Sequence, residues 1–258
     1  MNNKKNNIFL SIIMPCYNET ANLQRGVLKE VLGYLKIKNW TWEVIVSDDG
    51  SSDESREIVR QQLKNLPGFR LLENPHGGKP SALNYGIKSA KGEYILFTDM
   101  DQSTPIAELD KLLPFIKQGF SAVIGSRGLG RKDFPIYRKI GAYIFSSFRR
   151  FLILPHIIDT QCGFKLFESN LLKNVFPKLE FFKKKEEVKG WKVTSFDVEL
   201  CHLIEKKGGK IKEVLVDWKD RDSSKNKGGI LSKYIKESRE MLMQILRVKL
   251  NDLRGLYD

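Results

Sequence analysis

Cysteine is scarce: the chain has only Cys16, Cys162 and Cys201, far apart and without a CxxC pair. That excludes a disulfide framework and a cysteine zinc site, and it fits a reducing compartment. Histidine is as rare. His76, His156 and His202 stand in no motif beside a nucleophile, so a protease-type triad has no support. No apolar run reaches the roughly 18 residues a bilayer span needs; FLILPHII at 151–158 is far shorter and broken by Pro155 and His156. The polar stretch Asn2 to Asn7 supplies no signal-peptide core, which points to a cytoplasmic chain. Neither GxxxxGK[ST] nor GxGxxG occurs, so the two familiar glycine-rich phosphate loops are excluded.

What is present suits one well-cored domain: 41% of the 258 residues are hydrophobic and 10% aromatic. Charge is lopsided, with 15 Lys/Arg against 14 Asp/Glu before position 127 and 29 against 17 from there on. An excess confined to one half points to a polyanionic partner, whether phospholipid, a phosphorylated acceptor or nucleic acid, or else is a merely solvated basic surface.

Short β-branched runs at Ile8 to Met14, Trp42 to Ser47, Phe69 to Leu72, Glu93 to Thr98 and Ala122 to Gly125 read as strands. Helical spacing fills the gaps at Asn22 to Leu35, from a Ser52 or Asp53 cap to Leu63, at Lys79 to Ser89 and after Pro105. That alternation predicts an α/β fold with a mostly parallel central sheet flanked by helices. Further on come a helix Ile136 to Leu154, strand material around Gly163, a helix Phe196 to Lys206 and a strand Lys210 to Trp218. A long helix runs from Ile230 to about Tyr257. The organisation expected is a disordered start over 1–7, one domain over 8–229 and a basic, amphipathic C-terminal helix over 230–258, with further disorder around Ser223 to Gly229.

Ligands of open α/β sheets bind beyond the carboxyl ends of the strands. Three polar clusters fall at such ends: Pro15 to Glu19, Asp48 to Ser51, and Asp99-Met100-Asp101. Two carboxylates on a tight turn, Asp99 and Asp101, suit Mg²⁺ or Mn²⁺, whose other sites take diphosphate oxygens and water. The alternative is a solvated acidic turn ahead of the Pro105 helix. Gly77-Gly78-Lys79 either brings Lys79 to a diphosphate or merely turns the chain.

Taken in order, Pro15-x-Tyr17-Asn18-Glu19, the VSDDGS run 46–51, Asn74 to Lys79 and Asp99-x-Asp101 resemble glycosyltransferase family 2, with its GT-A (nucleotide-diphospho-sugar transferase) fold. Later segments look like its dolichyl-phosphate β-glucosyltransferase branch, related to the dolichyl-phosphate mannose synthases: VIGSR at 123–127, DTQCGFKLF at 159–167 and FDVEL at 196–200. The resemblance implies a nucleotide-sugar pocket of Pro15, Tyr17, Glu19, Asp48, Asp49, Lys79, Asp99 and Met100, with Asp49 on the base. It implies a metal on Asp101 and on Asp99, which faces either the metal or the ribose, a phosphate-clamping Arg127, and Asp197 where many members keep a catalytic base. Asp101, Arg127 and Asp197 are thus the expected catalytic residues. It favours UDP-glucose as donor, with GDP-mannose and other UDP-hexoses open. Two departures stand out. Such glucosyltransferases carry an N-terminal membrane anchor that the polar start does not supply, and Gln102 follows the acidic pair directly, so it is not assigned to the metal.

The expected reaction is an inverting hexosyl transfer onto a polyprenyl phosphate at the cytoplasmic membrane face. A phosphate acceptor is already an anion, so it needs cations rather than a strong base. Arg127, Arg131, Arg138 and Lys225 are the candidates to hold it. Asp197 then positions groups, or else merely caps a helix. The aromatic and basic helix 136–154 and the C-terminal helix either lie on the membrane or pack inward, with Phe145, Phe148 and Phe151 as core and the arginines solvated. The C-terminal helix leaves a homodimer open. Two rivals remain: transfer to a saccharide hydroxyl, where Asp197 would be an obligatory base, and a non-catalytic nucleotide- or polyanion-binding module. A nucleic-acid partner is not expected, because no recognised motif or stacked aromatic face is present.

Overall fold

The computed structural model describes residues 7–128, 136–183, 196–221 and 230–257. The expected disorder over 1–7 and around 223–229 falls almost wholly outside them. Seven strands form one sheet: β1 Leu10–Cys16, β2 Trp42–Asp48, β3 Phe69–Glu73, β4 Tyr94–Phe97, β5 Ala122–Ser126, β6 Lys165–Glu168 and β7 Ile211–Leu215. Their spatial order is β3-β2-β1-β4-β6-β5-β7. All neighbours run parallel except β6, which is antiparallel to both β4 and β5. The mostly parallel sheet read from the sequence is therefore present.

Alternation along the strands loads both faces of the sheet, as expected where helices cover each side. Ile12 and Met14 of β1 pack with Val44, Val46 and Leu96 under α1 Thr20–Gln24, α2 Val27–Leu35, α3 Ser55–Leu63 and α5 Leu109–Lys117. Ile13, Ile45, Ile95 and Phe97 face the other way, against α4 Lys79–Ser89, α7 Ser169–Val175 and α8 Phe196–Lys206. A third cluster joins Ile124 and Val198 to Leu154 and Ile245, where α6 Ile136–Leu152 and α9 Ile230–Leu253 meet.

Two expectations need correction. The single helix Asn22 to Leu35 is two, because Gly26 adopts φ 90° and breaks the hydrogen-bond ladder. The first strand does not stop at Met14 but runs through Pro15 to Cys16. Beyond Ile13 the β4 neighbour has already stopped and only β2 flanks the strand, so the missing N–H of Pro15 costs no ladder bond on the β4 side.

Helix α9 is not a free appendage. Ile245 and Val248 are fully buried, while Met243, Leu246, Leu250 and Leu253 are exposed on the opposite stripe. Its end is tied down by Tyr257, whose hydroxyl donates to Glu199 at 3.0 Å, and by Asn251, which donates to Glu180 at 2.9 Å. In α6, Phe145 and Phe148 pack against the third cluster whereas Phe151 stays exposed. No helix among the described residues is long and apolar enough to cross a membrane.

Candidate active site

Strand polarity gathers the chemistry. Parallel β1, β2, β4 and β5 deliver residues 15–19, 48–51, 98–102 and 126–128 to one edge of the sheet. Antiparallel β6 brings its opening residues, 163–165, to the same edge.

The first two loops are stitched together. Asn18 sits in the left-handed region at φ 56°, and its side-chain oxygen accepts the Ser52 amide at 2.9 Å. Ser51 and Ser55 hydroxyls accept the amides of Asn18 and Glu19. Asp48 is fully buried and receives the Gly50 and Ser51 amides and Arg56 Nε, the last at 2.5 Å. Asp49 is equally buried; its oxygens accept the Gly77 and Gly78 amides at 3.0 and 2.7 Å. Burial pushes its carboxyl upward against those bonds and the adjacent His76. Asp49 thereby fixes the turn leading into Lys79. Tyr17 stacks on His76 with ring centroids 4.7 Å apart, giving the loop edge an aromatic face.

The acidic turn follows β4. Lys79 Nζ lies 2.5 Å from Asp99 Oδ1. Burial raises the Asp99 carboxyl, but Lys79, with Lys165 and Arg127 behind it, holds it below the ordinary 3.8. Asp101 Oδ1 accepts the Ser103 amide at 2.8 Å, and Arg25 donates to the Asp101 carbonyl at 2.8 Å. Gln102, at φ 51°, donates to Thr98 Oγ1 and the Asp99 carbonyl, so it braces the turn. Met100 departs from expectation: its side chain is 1% exposed and belongs to the core, which leaves only its backbone at the turn.

Asp99, Asp101 and Arg127 line one cavity of about 220 Å³, with Gln161, Trp218 and Asp220. A smaller pocket of about 30 Å³ shares Asp99 and Gln161 with it and adds Pro15, Lys79, Lys165 and Asp197. Among the described residues no three His, Cys, Asp or Glu side chains group as a metal cage. Two hard carboxylates at one cavity still fit a divalent cation whose remaining positions are filled by ligand oxygens and water.

The expected phosphate clamp is held by a partner the sequence reading did not assign. Arg127 grips Asp159 bidentately, Nε to Oδ2 at 2.7 Å and Nη2 to Oδ1 at 2.9 Å, with the Trp218 ring 5.9 Å away. Asp159 is fixed in turn. Glu213 accepts the Ile158 and Asp159 amides, and Arg149 donates to the carbonyls of Ile157 and Ile158 and to Thr160 Oγ1. Arg149 is 1% exposed, contrary to the solvated arginines of the inward-packed alternative; Arg150 beside it is exposed. Asp197 lies in the first turn of α8 and is 7% exposed; its Oδ1 accepts Lys165 Nζ at 2.6 Å. Arg131 and Lys225 lie outside the described residues; Arg138 falls in α6, but its side chain is not described. The residues at the site that the sequence does not single out, Asp159, Gly163 and Lys165, all belong to the DTQCGFKLF run, whose specificity is the available signal.

The sequence profile of "Glycosyl transferase family 2" matches residues 11–176. A dolichyl-phosphate beta-glucosyltransferase of Dictyostelium discoideum is 31% identical over 99% of this chain and 78% of its own length. One of Drosophila melanogaster is 34% identical over 84% of this chain and 68% of its own. Among solved structures, glucosyl-3-phosphoglycerate synthase of Mycobacterium tuberculosis, described in complex with Mn²⁺, UDP and glucosyl-3-phosphoglycerate, superposes with a TM-score of 0.63. The match covers 93% of this chain and 80% of that one at 17% identity, and it shows a shared GT-A fold.

Proposed function

The chain belongs to glycosyl transferase family 2, as a hexosyltransferase of its dolichyl-phosphate β-glucosyltransferase branch, and on that premise we propose that it moves glucose from UDP-glucose onto a polyprenyl phosphate at the cytoplasmic face of a membrane. The observation that supports this most is the single cavity lined by both the Asp99–Asp101 turn and Arg127. Donor diphosphate and acceptor phosphate both need positive charge close to one reacting carbon; Arg127 brings one cation to that cavity, and a divalent ion on Asp99 and Asp101 would bring the rest.

Tyr17 offers an aromatic face to the nucleotide base, beside Pro15 and Glu19; Asp48 and Asp49, both fully buried on loop amides rather than facing the base as expected, shape the loops around it. Lys79 stands ready for the diphosphate through its pair with Asp99. Asp99 and Asp101 would hold Mg²⁺ or Mn²⁺, which when bound takes up charge on the departing diphosphate. An acceptor phosphate oxygen forms the new bond to the anomeric carbon as the carbon–oxygen bond to the diphosphate breaks, with inversion. No proton has to leave the attacking atom. Arg127, its fork set by Asp159, presents a fixed cation to that phosphate; Arg131, Arg138 and Lys225 are further candidates.

The exposed stripe Met243, Leu246, Leu250 and Leu253, with Tyr143, Ile144 and Phe151 on α6, suits a bilayer interface. The basic excess of the second half favours anionic lipid. A homodimer across the same stripe is the competing use.

A donor screen decides the function. UDP-glucose, GDP-mannose and other UDP-hexoses are offered with undecaprenyl or dolichyl phosphate in detergent, with Mg²⁺ or Mn²⁺, and the product is scored by mass. The expected product is an acid-labile hexosyl lipid phosphate. An acid-stable glycoside on a saccharide, with no lipid product, would refute the reading.

A further inference from the structure

Lys165 opens β6 at 1% exposure, and a buried ammonium is unfavourable unless it is paired. It has two acceptors: the Cys162 carbonyl, and Asp197 Oδ1 at 2.6 Å. Asp197 sits where the helix N-terminus also favours a carboxylate. Both side chains border the small pocket with Pro15, Lys79 and Asp99. The other titratable groups around the pair are Cys162 in the loop before β6, Cys201 on α8, Asp99 after β4, and Lys79 on α4, which itself pairs with Asp99.

A buried carboxylate beside reacting groups is ordinarily a strong candidate for a general base. Here a proton arriving on Asp197 would leave the Lys165 charge buried without its counter-ion. We propose that Lys165 is a specificity-determining positioning residue: by holding Asp197 in a buried ion pair it makes that carboxylate an anchor rather than a base, and so restricts the site to acceptors that arrive as anions. This rests on the phosphate-acceptor reading above. With a phosphate, one C–O bond forms, one breaks and no proton moves. With water or a sugar hydroxyl the same exchange also releases a proton, and the paired Asp197 does not take it.

The test compares UDP-glucose hydrolysis, where water is the hydroxyl acceptor, with glucosyl transfer to undecaprenyl phosphate in detergent. Lys165→Met is expected to raise the hydrolysis-to-transfer ratio at least tenfold and to give hydrolysis an acid limb that the parent enzyme lacks. Lys165→Arg, which keeps the cation, restores the parent ratio, and Lys165→Met/Asp197→Asn abolishes the new limb. An unchanged ratio in a folded Lys165→Met variant overturns the inference. If that variant does not fold, Asp197→Asn decides: residual transfer with the parent pH profile supports the anchor role, and loss of an acid limb from that profile overturns it. Hydrolysis needs no lipid. An enzyme that turns over UDP-glucose yet never glycosylates the lipid refutes the proposed function, while the hydrolysis rates of Lys165→Met and parent still decide the role of Lys165.

Discussion

Gly163→Ala tests the acidic turn without touching an acid. A Cβ built on Gly163 falls 1.9 Å from Asp99 Oδ2 and 2.6 Å from its Cγ, where ordinary contact begins at 3.4 Å. The carboxylate would have to retreat by the difference, about 1.5 Å, and its 2.5 Å pair with Lys79 would not survive. Overpacking of this kind costs about 1–3 kcal/mol of stability. Displacing a reacting-centre ligand by about 1 Å costs roughly a hundredfold in rate, or about 2.7 kcal/mol of transition-state stabilisation. Urea unfolding and kcat/KM for donor consumption measure the two effects separately. Gly33→Ala is the control: nothing lies within 4 Å of its Cβ position on α2, so stability should rise by up to about 1 kcal/mol with kcat/KM unchanged. A Gly163→Ala enzyme within about threefold of the parent in kcat/KM would refute the reasoning, because Asp99 would then not need the place it occupies.

Lys79→Met removes the main cation that lowers Asp99. Because the folded carboxyl lies below 3.8, the pair contributes stability above that pH and loses it as pH falls through the lower folded value. The stability gap between parent and variant should therefore narrow on acidification below about pH 4, as read by thermal unfolding across a pH series. Arg149→Met strands the carbonyls of Ile157 and Ile158 and frees the Asp159 loop. It should cost about 2–4 kcal/mol in urea unfolding and raise the acceptor KM more than it lowers kcat. Replacing Leu246, Leu250 and Leu253 with Ser should lower the melting temperature by only several degrees and leave the protein folded, since they are 41%, 50% and 71% exposed. The same triple change should weaken sedimentation with anionic vesicles by about a hundredfold, assuming about 1 kcal/mol of transfer energy per half-buried leucine. An unchanged vesicle affinity would remove α9 from the membrane contact.

Most of the sheet was legible because its strands are short apolar runs with polar ends, and a buried parallel sheet writes that pattern directly into sequence. The helix break at Gly26 was not, since a glycine within helical spacing shows its left-handed φ only in coordinates. Residues that reach the cleft directly after a strand, such as Asp99, Asp101 and Arg127, were legible for the same topological reason. Their partners were not. Asp159 is 32 positions from Arg127, and Lys165 is 32 from Asp197. No local periodicity encodes such pairings; they arise because β6 runs backwards between β4 and β5. Arg149 was missed for a related reason: helical spacing reports which face is apolar, but not that a loop will fold over a cation on that face.

That reversed strand explains why one nine-residue run carried so much specificity. Asp159 sets the guanidinium of Arg127, Gly163 leaves the room that Asp99 takes, and Lys165 pairs with Asp197. The segment therefore touches three different strand or helix ends at once. It can do so only because an antiparallel strand starts at the edge where its parallel neighbours finish. A parallel β6 would have entered the sheet from the opposite edge and presented these side chains away from the cleft. The topology that makes the sheet mixed is thus also what puts two further ion pairs, Arg127 with Asp159 and Lys165 with Asp197, behind the acidic turn. Each cation in that wall has a carboxylate to hold it, which fixes the guanidinium and ammonium in place; under the proposed function they are set before the acceptor phosphate arrives. Such preorganisation is where an anion-handling site gains most, because no charge has to be reoriented during the transfer itself.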